Sequence, residues 1–393
     1  PTSQPSGHPP PPTRLAHRHS HPHFPVMPPL AAPLASCPRL PRCARLRSPS
    51  TKGARPPQLP LNPSPATARP LPRTPPLRAL PRGVACAAGR EGAPPLKLVR
   101  STWGVEEFGS ADPAGWSSRL AILKSQGYSG IEAALDFIPG DREDFAAAVA
   151  GADMELILQV HTCGYGGRAG QVPTRDISQH LASLKEGMDA ARGMGAALAN
   201  VHSGHDSWGV EEGRKYMLEA ANIEAASGIL LSHETHRKRL MWNPWNFRDL
   251  MLALEGEPVK ITADISHWVV CCERIFDAEY DPDWPEILGL VARHAALVHA
   301  RVGYCEGPQV PDPRAPEYAG ELEAHEGWWD EILESMLERG VAPALEPEHG
   351  PPPYQQCTPS SWDGLPMPLA DLYDVNSFVG ERQAARYRAA HGG

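Results

Sequence analysis

The first 90 residues of this 393-residue chain contain no aspartate and no glutamate; the first acidic side chain is Glu91. Thirteen of the 37 Lys and Arg lie in that stretch, so the body that follows holds 24 basic against 46 acidic groups, a net of −22. So acidic a body repels phosphate backbones, whose nonspecific binding rests on Lys and Arg, and no nucleic-acid partner is expected. Long hydrophobic runs are lacking as well. Nothing in the body approaches the roughly 20 continuous apolar residues of a membrane span, so a soluble protein without a membrane partner is expected. Zinc-ribbon spacing is also missing. Of eight cysteines, Cys37, Cys43 and Cys86 lie in the opening segment, and in the body Cys271-Cys272 are sequence neighbours that suit a disulfide poorly. They read as reduced thiols of a stromal or cytosolic setting.

What the opening segment does have is Pro, Ser, Ala and Arg, with His17-Arg18-His19 and His21-Pro22-His23 among them. With so little periodic apolar sequence it cannot bury enough surface to fold, and residues 1–90 are expected to form a disordered leader. An Arg-rich, acid-poor leader ahead of a globular body reads as an organelle transit peptide. Val84-Ala85-Cys86-Ala87-Ala88 is similar to a plastid processing site, which points to the chloroplast stroma, with the cytoplasm otherwise. A Pro-rich linker or a spurious extension is the competing reading.

From residue 96 the pattern alternates. Strands are expected over 96–101, 130–135, 154–162, 198–202, 229–234, 259–264, 297–302 and 341–345, and helices over 112–126, 141–151, 176–193, 210–227, 247–254, 284–294, 328–339 and 369–390. In 176–193 the apolar Ile177, Leu181, Leu184 and Met188 recur at helical steps, the mark of one buried face. Strands alternating with helices imply a parallel sheet. Eight such units in about 255 residues match a closed (β/α)8 barrel better than a doubly wound sheet. The body, 95–393, is thus expected to be one α/β barrel with a C-terminal helix, whose Arg382, Arg386 and Arg388 are expected to be solvated.

Four of the strands end in polar groups of one kind: Glu234, Asp264, His299, and Glu346 with Glu348. Side chains two apart on a strand share a face, so Ser232 goes with Glu234, Thr262 with Asp264, and Glu346 with Glu348. A carboxylate pointing into a barrel is costly unless paired or bound to metal. Taken singly, His299 or Asp264 reads rather as a satisfied structural group. Together, with no cation partner evident, they ask for a divalent ion, and oxygen-rich ligation with one imidazole suits Mn, Mg, Co or Zn.

Glu234-Thr235-His236-Arg237, Asp264-Ile265-Ser266-His267-Trp268, His299-Ala300-Arg301-Val302-Gly303 with Glu306-Gly307-Pro308-Gln309, and Pro347-Glu348-His349-Gly350-Pro351 with Pro352-Pro353-Tyr354 make a set. Over residues 97–377 it resembles the xylose isomerase-like TIM-barrel superfamily, which holds sugar-phosphate isomerases and epimerases, ketose 3-epimerases, inosose dehydratases and apurinic endonucleases. The resemblance implies one divalent ion on Glu234, Asp264, His299 and Glu348. Glu346 competes for the fourth place, and His349 stands where relatives carry an aromatic residue. It further implies a sugar, sugar-phosphate or polyol isomerase or epimerase, or an inosose-type dehydratase. Such an enzyme abstracts a proton beside a carbonyl through a metal-stabilised enediolate, with Glu234 and Glu348 as base and acid. His267 matches a position that touches substrate in the epimerases and binds a further zinc in the nucleases.

His161, His202 and His236 end or follow strands at the same rim and are candidates to orient hydroxyls. Trp103, Trp268 and Tyr354 are candidates to stack on an apolar sugar face, with core packing the competing reading for Trp103. Arg237 and Arg301 either meet a substrate phosphate or pair with carboxylates. Two alternatives stand: an apurinic endonuclease-like enzyme, for which an Asp-x-His is wanted where the chain has Asp312-Pro313-Arg314, and an inactive barrel with a binding role. The oligomeric state, a homo-oligomer included, is left open.

Overall fold

The computed structural model describes residues 93–105, 115–138, 140–164, 174–359 and 366–392. The expected leader, 1–90, lies outside the described residues. In chain order the elements are β1 (Lys97–Ser101), α1 (Trp116–Ser125), β2 (Tyr128–Ala134), α2 (Arg142–Gly151), β3 (Glu155–His161), α3 (Ile177–Gly193), β4 (Leu198–His202), α4 (Val210–Ser227), β5 (Leu230–Glu234), α5 (Pro244–Ala253), β6 (Ile261–Ala263), α6 (Ser266–Cys272), α7 (Trp284–His294), β7 (Ala295–Ala300), α8 (Ala319–Glu338), β8 (Ala344–Pro347) and α9 (Leu372–His391). All eight strands are parallel and close into a barrel in sequence order, with Lys97 of β1 paired to Ala344 of β8. No helix among the described residues is long and apolar enough to cross a membrane.

Local sequence sets the boundaries. Asp141 caps α2 by accepting from the N–H groups of Glu143 and Asp144, and Asp176 caps α3 through Ser178 N. Gly228 ends α4 at φ 72°, the left-handed position that favours glycine, and β5 starts two residues later. The α5 helix begins at Pro244, before the expected 247, because Asn243 caps it and the proline sits in the first turn where no N–H is needed.

Three differences from the expected elements bear on the site. First, β6 stops at Ala263, and Asp264 turns the chain directly into α6 by accepting from Ser266 N at 3.0 Å, so a helix stands where none was expected. Second, β8 runs Ala344–Pro347, not 341–345, which keeps Glu346 within the sheet and puts Glu348 just beyond it. Third, α8 starts at Ala319, not at 328, and carries buried His325 and Glu326. His325 Nε2 accepts from Gly303 N at 3.1 Å and its Nδ1 donates to the Glu321 carbonyl at 2.8 Å, which pins the segment after β7. Along the same helix Glu326 and Asp330 pair with Arg382 and Arg386 of α9, so those two arginines are not simply solvated.

Candidate metal centre

Barrel closure brings the ends of β5, β6, β7 and β8 together, and with them Glu234, Asp264, His299, Glu346 and Glu348, all buried. Ligand-capable atoms of Glu234, Asp264 and His299 lie within 4.8 Å of one another. His299 organises the set by facing two ways. Its Nε2 donates to Glu132 Oε2 at 3.3 Å and sits 3.7 Å from Glu346 Oε2. Its Nδ1 lies 3.8 Å from Glu234 Oε2 and 3.0 Å from Glu348 Oε2, without the alignment of a hydrogen bond. The carboxylate behind the imidazole resembles the support that metal-ligating histidines receive.

Glu234 Oε1 is thus buried with no hydrogen-bond partner, while His299 Nδ1 and Glu348 Oε2 face each other at 3.0 Å as an ion pair outside hydrogen-bond alignment. An atom like Glu234 Oε1 calls for a bound group. Both oxygens of Glu346 are also unpartnered, but Glu346 groups with Glu132 and His299 Nε2 on the far side of the ring.

Asp264 differs. Its Oδ1 accepts from Ser266 N and from Ser266 Oγ at 2.5 Å, and its Oδ2 accepts from Arg301 Nη2. Arg301 is buried, lies 3.6 Å from Glu348 Oε2 and donates to His267 Nε2 at 2.7 Å. The carboxylates therefore do have a cation partner, one of the two readings the sequence left open for Arg301. Burial would lower the Arg301 pKa, but Asp264 and Glu348 outweigh it and hold the guanidinium firmly charged. Burial also raises Glu348, yet His299 and Arg301 prevail and bring it down to about 2. Burial pushes Glu234 up to about 7 against the pull of His299, with Glu348 adding to the rise. For His299 burial opposes charge, while Glu348 and Glu132 overcome it and set its pKa well above the usual value.

The remaining rim residues form a file of imidazoles. His161 meets His202 at 4.5 Å between ring centres, His202 meets His236 at 4.1 Å, and His236 meets His267 at 3.9 Å. Burial is the first cause of their lowered pKa values, to about 4 for His161 and well below the ordinary value for the others, so the file is neutral. His202 Nε2 donates to Glu234 Oε2 at 2.8 Å beside Asn200 Nδ2 at 2.7 Å. His202, Glu234 and His236 also group closely enough to hold an ion. Above them Tyr354 sits 6.0 Å from Trp103, with the guanidinium of Arg301 5.0 Å and that of Arg237 5.1 Å from its ring centre.

Trp268 is not at the rim. It is fully buried, donates to the Met241 carbonyl at 2.9 Å and packs on Phe247 and Trp284, because its helical position turns it to the helix layer while His267 takes the mouth. In the other direction, Glu132 of β2 went unnoticed in the sequence. It accepts from Gln159 Nε2 at 3.0 Å and Asn200 Nδ2 at 3.4 Å as well as from His299. The signal was present: a carboxylate inside the apolar run Gly130-Ile131-Glu132-Ala133-Ala134 needs a partner. Asp312 is chelated by its neighbour Arg314 through bonds of 2.8 Å to both carboxylate oxygens.

A family model described as xylose isomerase-like TIM barrel matches residues 120–342, more than half of the chain. The chain belongs to that family. No curated protein matches it. Among solved structures, this xylose isomerase-like barrel is similar to an L-ribulose 3-epimerase (TM-score 0.46, 15% identity, 76% of this chain and 95% of that one). It is also similar to a sugar phosphate isomerase/epimerase from Parabacteroides distasonis (0.46, 14%, 78% and 99%) and to endonuclease IV from Thermus thermophilus (0.43, 14%, 75% and 100%). What distinguishes this member of the family must be read from its own rim.

Proposed function

We propose that this xylose isomerase-like barrel is a metal-dependent isomerase or epimerase of sugars, sugar phosphates or polyols that moves a proton at a carbon beside a carbonyl. The observation that carries the reading is the grouping of buried Glu234, Asp264 and His299, with Glu348 Oε2 3.0 Å from His299 Nδ1. Three carboxylates and one imidazole fit Mn, Mg, Co or Zn. Glu234, Asp264, His299 and Glu348 would hold one such ion, and when bound it supplies Lewis-acid polarisation of a carbonyl oxygen.

The chain's own groups do the rest. Asn200 and His202 tie down Glu234 Oε2, which fixes this carboxylate in place to act as a general base. Glu348 comes from β8, across the ring, and takes the complementary role on the other face of the carbon. Neutral His202, His236 and His267 exchange hydrogen bonds with hydroxyls, and Tyr354 and Trp103 shield an apolar sugar face. A nuclease reading is weaker, because Arg314 occupies the Asp312 carboxylate and the body is strongly acidic. The acid-free, Arg-rich leader supports a plastid location.

The test is turnover of a panel of ketoses, ketose phosphates and inososes with added Mn2+, by the full chain and by Glu234→Gln. Conversion of at least one member, reduced by about 10²–10⁴-fold in the variant, is expected. A protein that binds Mn2+ and converts none would be a binding barrel.

A further inference from the structure

Of the ligands proposed for the ion, Asp264 has both carboxylate oxygens bonded, and one of its donors is a cation. Arg301 Nη2 bonds Asp264 Oδ2, Nε donates to Ser266 Oγ at 3.0 Å, and Glu348 Oε2 is 3.6 Å away. Ser266 itself donates to Asp264 Oδ1. The guanidinium is further held by His267 Nε2 at 2.7 Å and by the Tyr354 ring at 5.0 Å. Arg301 is 1% exposed, so its charge is screened little by solvent.

We propose that Arg301 is an internal competitor of the divalent ion, neutralising Asp264 and Glu348 in the metal-free protein and thereby setting how tightly the centre binds metal. The inference rests on the metal reading above and adds a residue to it. Two physical effects act in one direction. An ion at Asp264 must take or share the oxygen that Arg301 holds, and it must approach a fixed positive charge in a poorly screened interior. A purely structural ion pair would bind the same carboxylate without changing affinity for metal. The location argues against that: Arg301 touches two of the ligand carboxylates and the adjacent His267. Arg301 therefore also lets the ring persist without an ion.

Calorimetric titration of Mn2+ into chelator-treated full-length protein tests this, with wild type, Arg301→Met and Tyr354→Leu compared and circular dichroism confirming the fold of each. Arg301→Met, which removes a fixed positive charge beside the site, is expected to bind Mn2+ at least about tenfold more tightly than wild type, at unchanged stoichiometry. Tyr354→Leu removes the ring on which the guanidinium rests and touches no ligand; it is expected to tighten binding severalfold. Equal or weaker binding by folded Arg301→Met overturns the proposal and leaves the metal centre standing. Should Arg301→Met not fold, an unchanged affinity in Tyr354→Leu overturns it. No Mn2+ binding by any of the three overturns the metal reading itself, and this proposal with it.

Discussion

His267 and Trp268 are neighbours on α6, and they belong to two differently built regions. Trp268 faces the helix layer, where Phe276 stacks on Trp284 at 4.6 Å, Trp284 meets Trp328 at 5.2 Å, and the indole N–H of Trp268 has its carbonyl. His267 faces the mouth, where its own Nδ1, Glu234 Oε1, His299 Nδ1 and Glu348 Oε2 are buried without hydrogen-bond partners. An unsatisfied buried polar group costs about 1–3 kcal/mol. The helix layer keeps isolated unpartnered atoms such as Trp329 Nε1, whereas the mouth gathers several on ionisable groups and spends some of the stability that the layer provides. Regions where local rules fail inside a fold that otherwise obeys them are where function sits.

That contrast can be broken by mutation. The largest expected effect is at the mouth and falls on activity: Glu348→Gln is expected to cut turnover by about 10²–10⁴-fold, because an amide cannot act as base or acid. Its melting temperature should fall, since the charge removed is one that His299 and Arg301 stabilise in the folded protein. Glu346→Gln, on the far side of His299, is expected to be far milder in steady-state kinetics; equal losses in the two variants would reverse their roles.

Trp268→Ala should act chiefly on stability. Loss of a fully buried indole is expected to cost about 3–5 kcal/mol by chemical denaturation. The variant that remains folded should still bind one Mn2+ per chain, and a lost ion would show that the two regions are not separable.

Between the two regions stands His325, which supports the segment after β7. Burial brings its pKa down to about 4 from 6.5, and its Nε2 must stay unprotonated to accept from Gly303 N. Below pH 6.5 the unfolded chain takes up a proton that the folded chain refuses, so stability is full above that pH and falls as pH drops from 6.5 to about 4. The loss from this group should reach about 3 kcal/mol. His325→Gln keeps an acceptor but cannot titrate, and denaturation curves across that window should show a shallower pH dependence. The smallest effect is expected at the outer surface: breaking the exposed Lys185–Asp189 pair of α3 by Lys185→Ala should cost no more than about 1 kcal/mol.

Much of this was legible in the chain because periodicity and capping act locally. The ends of β4, α4 and α7 fall where apolar spacing and Gly228 put them, and barrel topology follows from eight alternations. The meeting of Glu234, Asp264 and His299 was readable for the same reason, since parallel strands bring their ends to one rim. What was not legible depends on tertiary distance. Arg301 looked as ready to bind a phosphate as a carboxylate until Asp264 was placed beside it. Glu132 lies across the barrel from the His299 it supports, and nothing in its neighbourhood in sequence names that partner. Helix α6 hid behind a strand-like run because Asp264 bonds to Ser266, a side-chain contact that reverses the local preference. The first half of α8 read as loop because its polar residues find partners in the segment after β7 and in α9.

The central claim is that two carboxylates of the mouth exchange a proton with carbon. Incubation of a converted substrate with the Mn2+-loaded protein in heavy water, read by NMR or mass spectrometry, tests it most directly. The expected result is solvent deuterium on the carbon beside the carbonyl, in product and in recovered substrate, and none with Glu348→Gln. Product formed at full rate without any deuterium would show hydrogen passing directly between carbons and would contradict the assignment of Glu234 and Glu348.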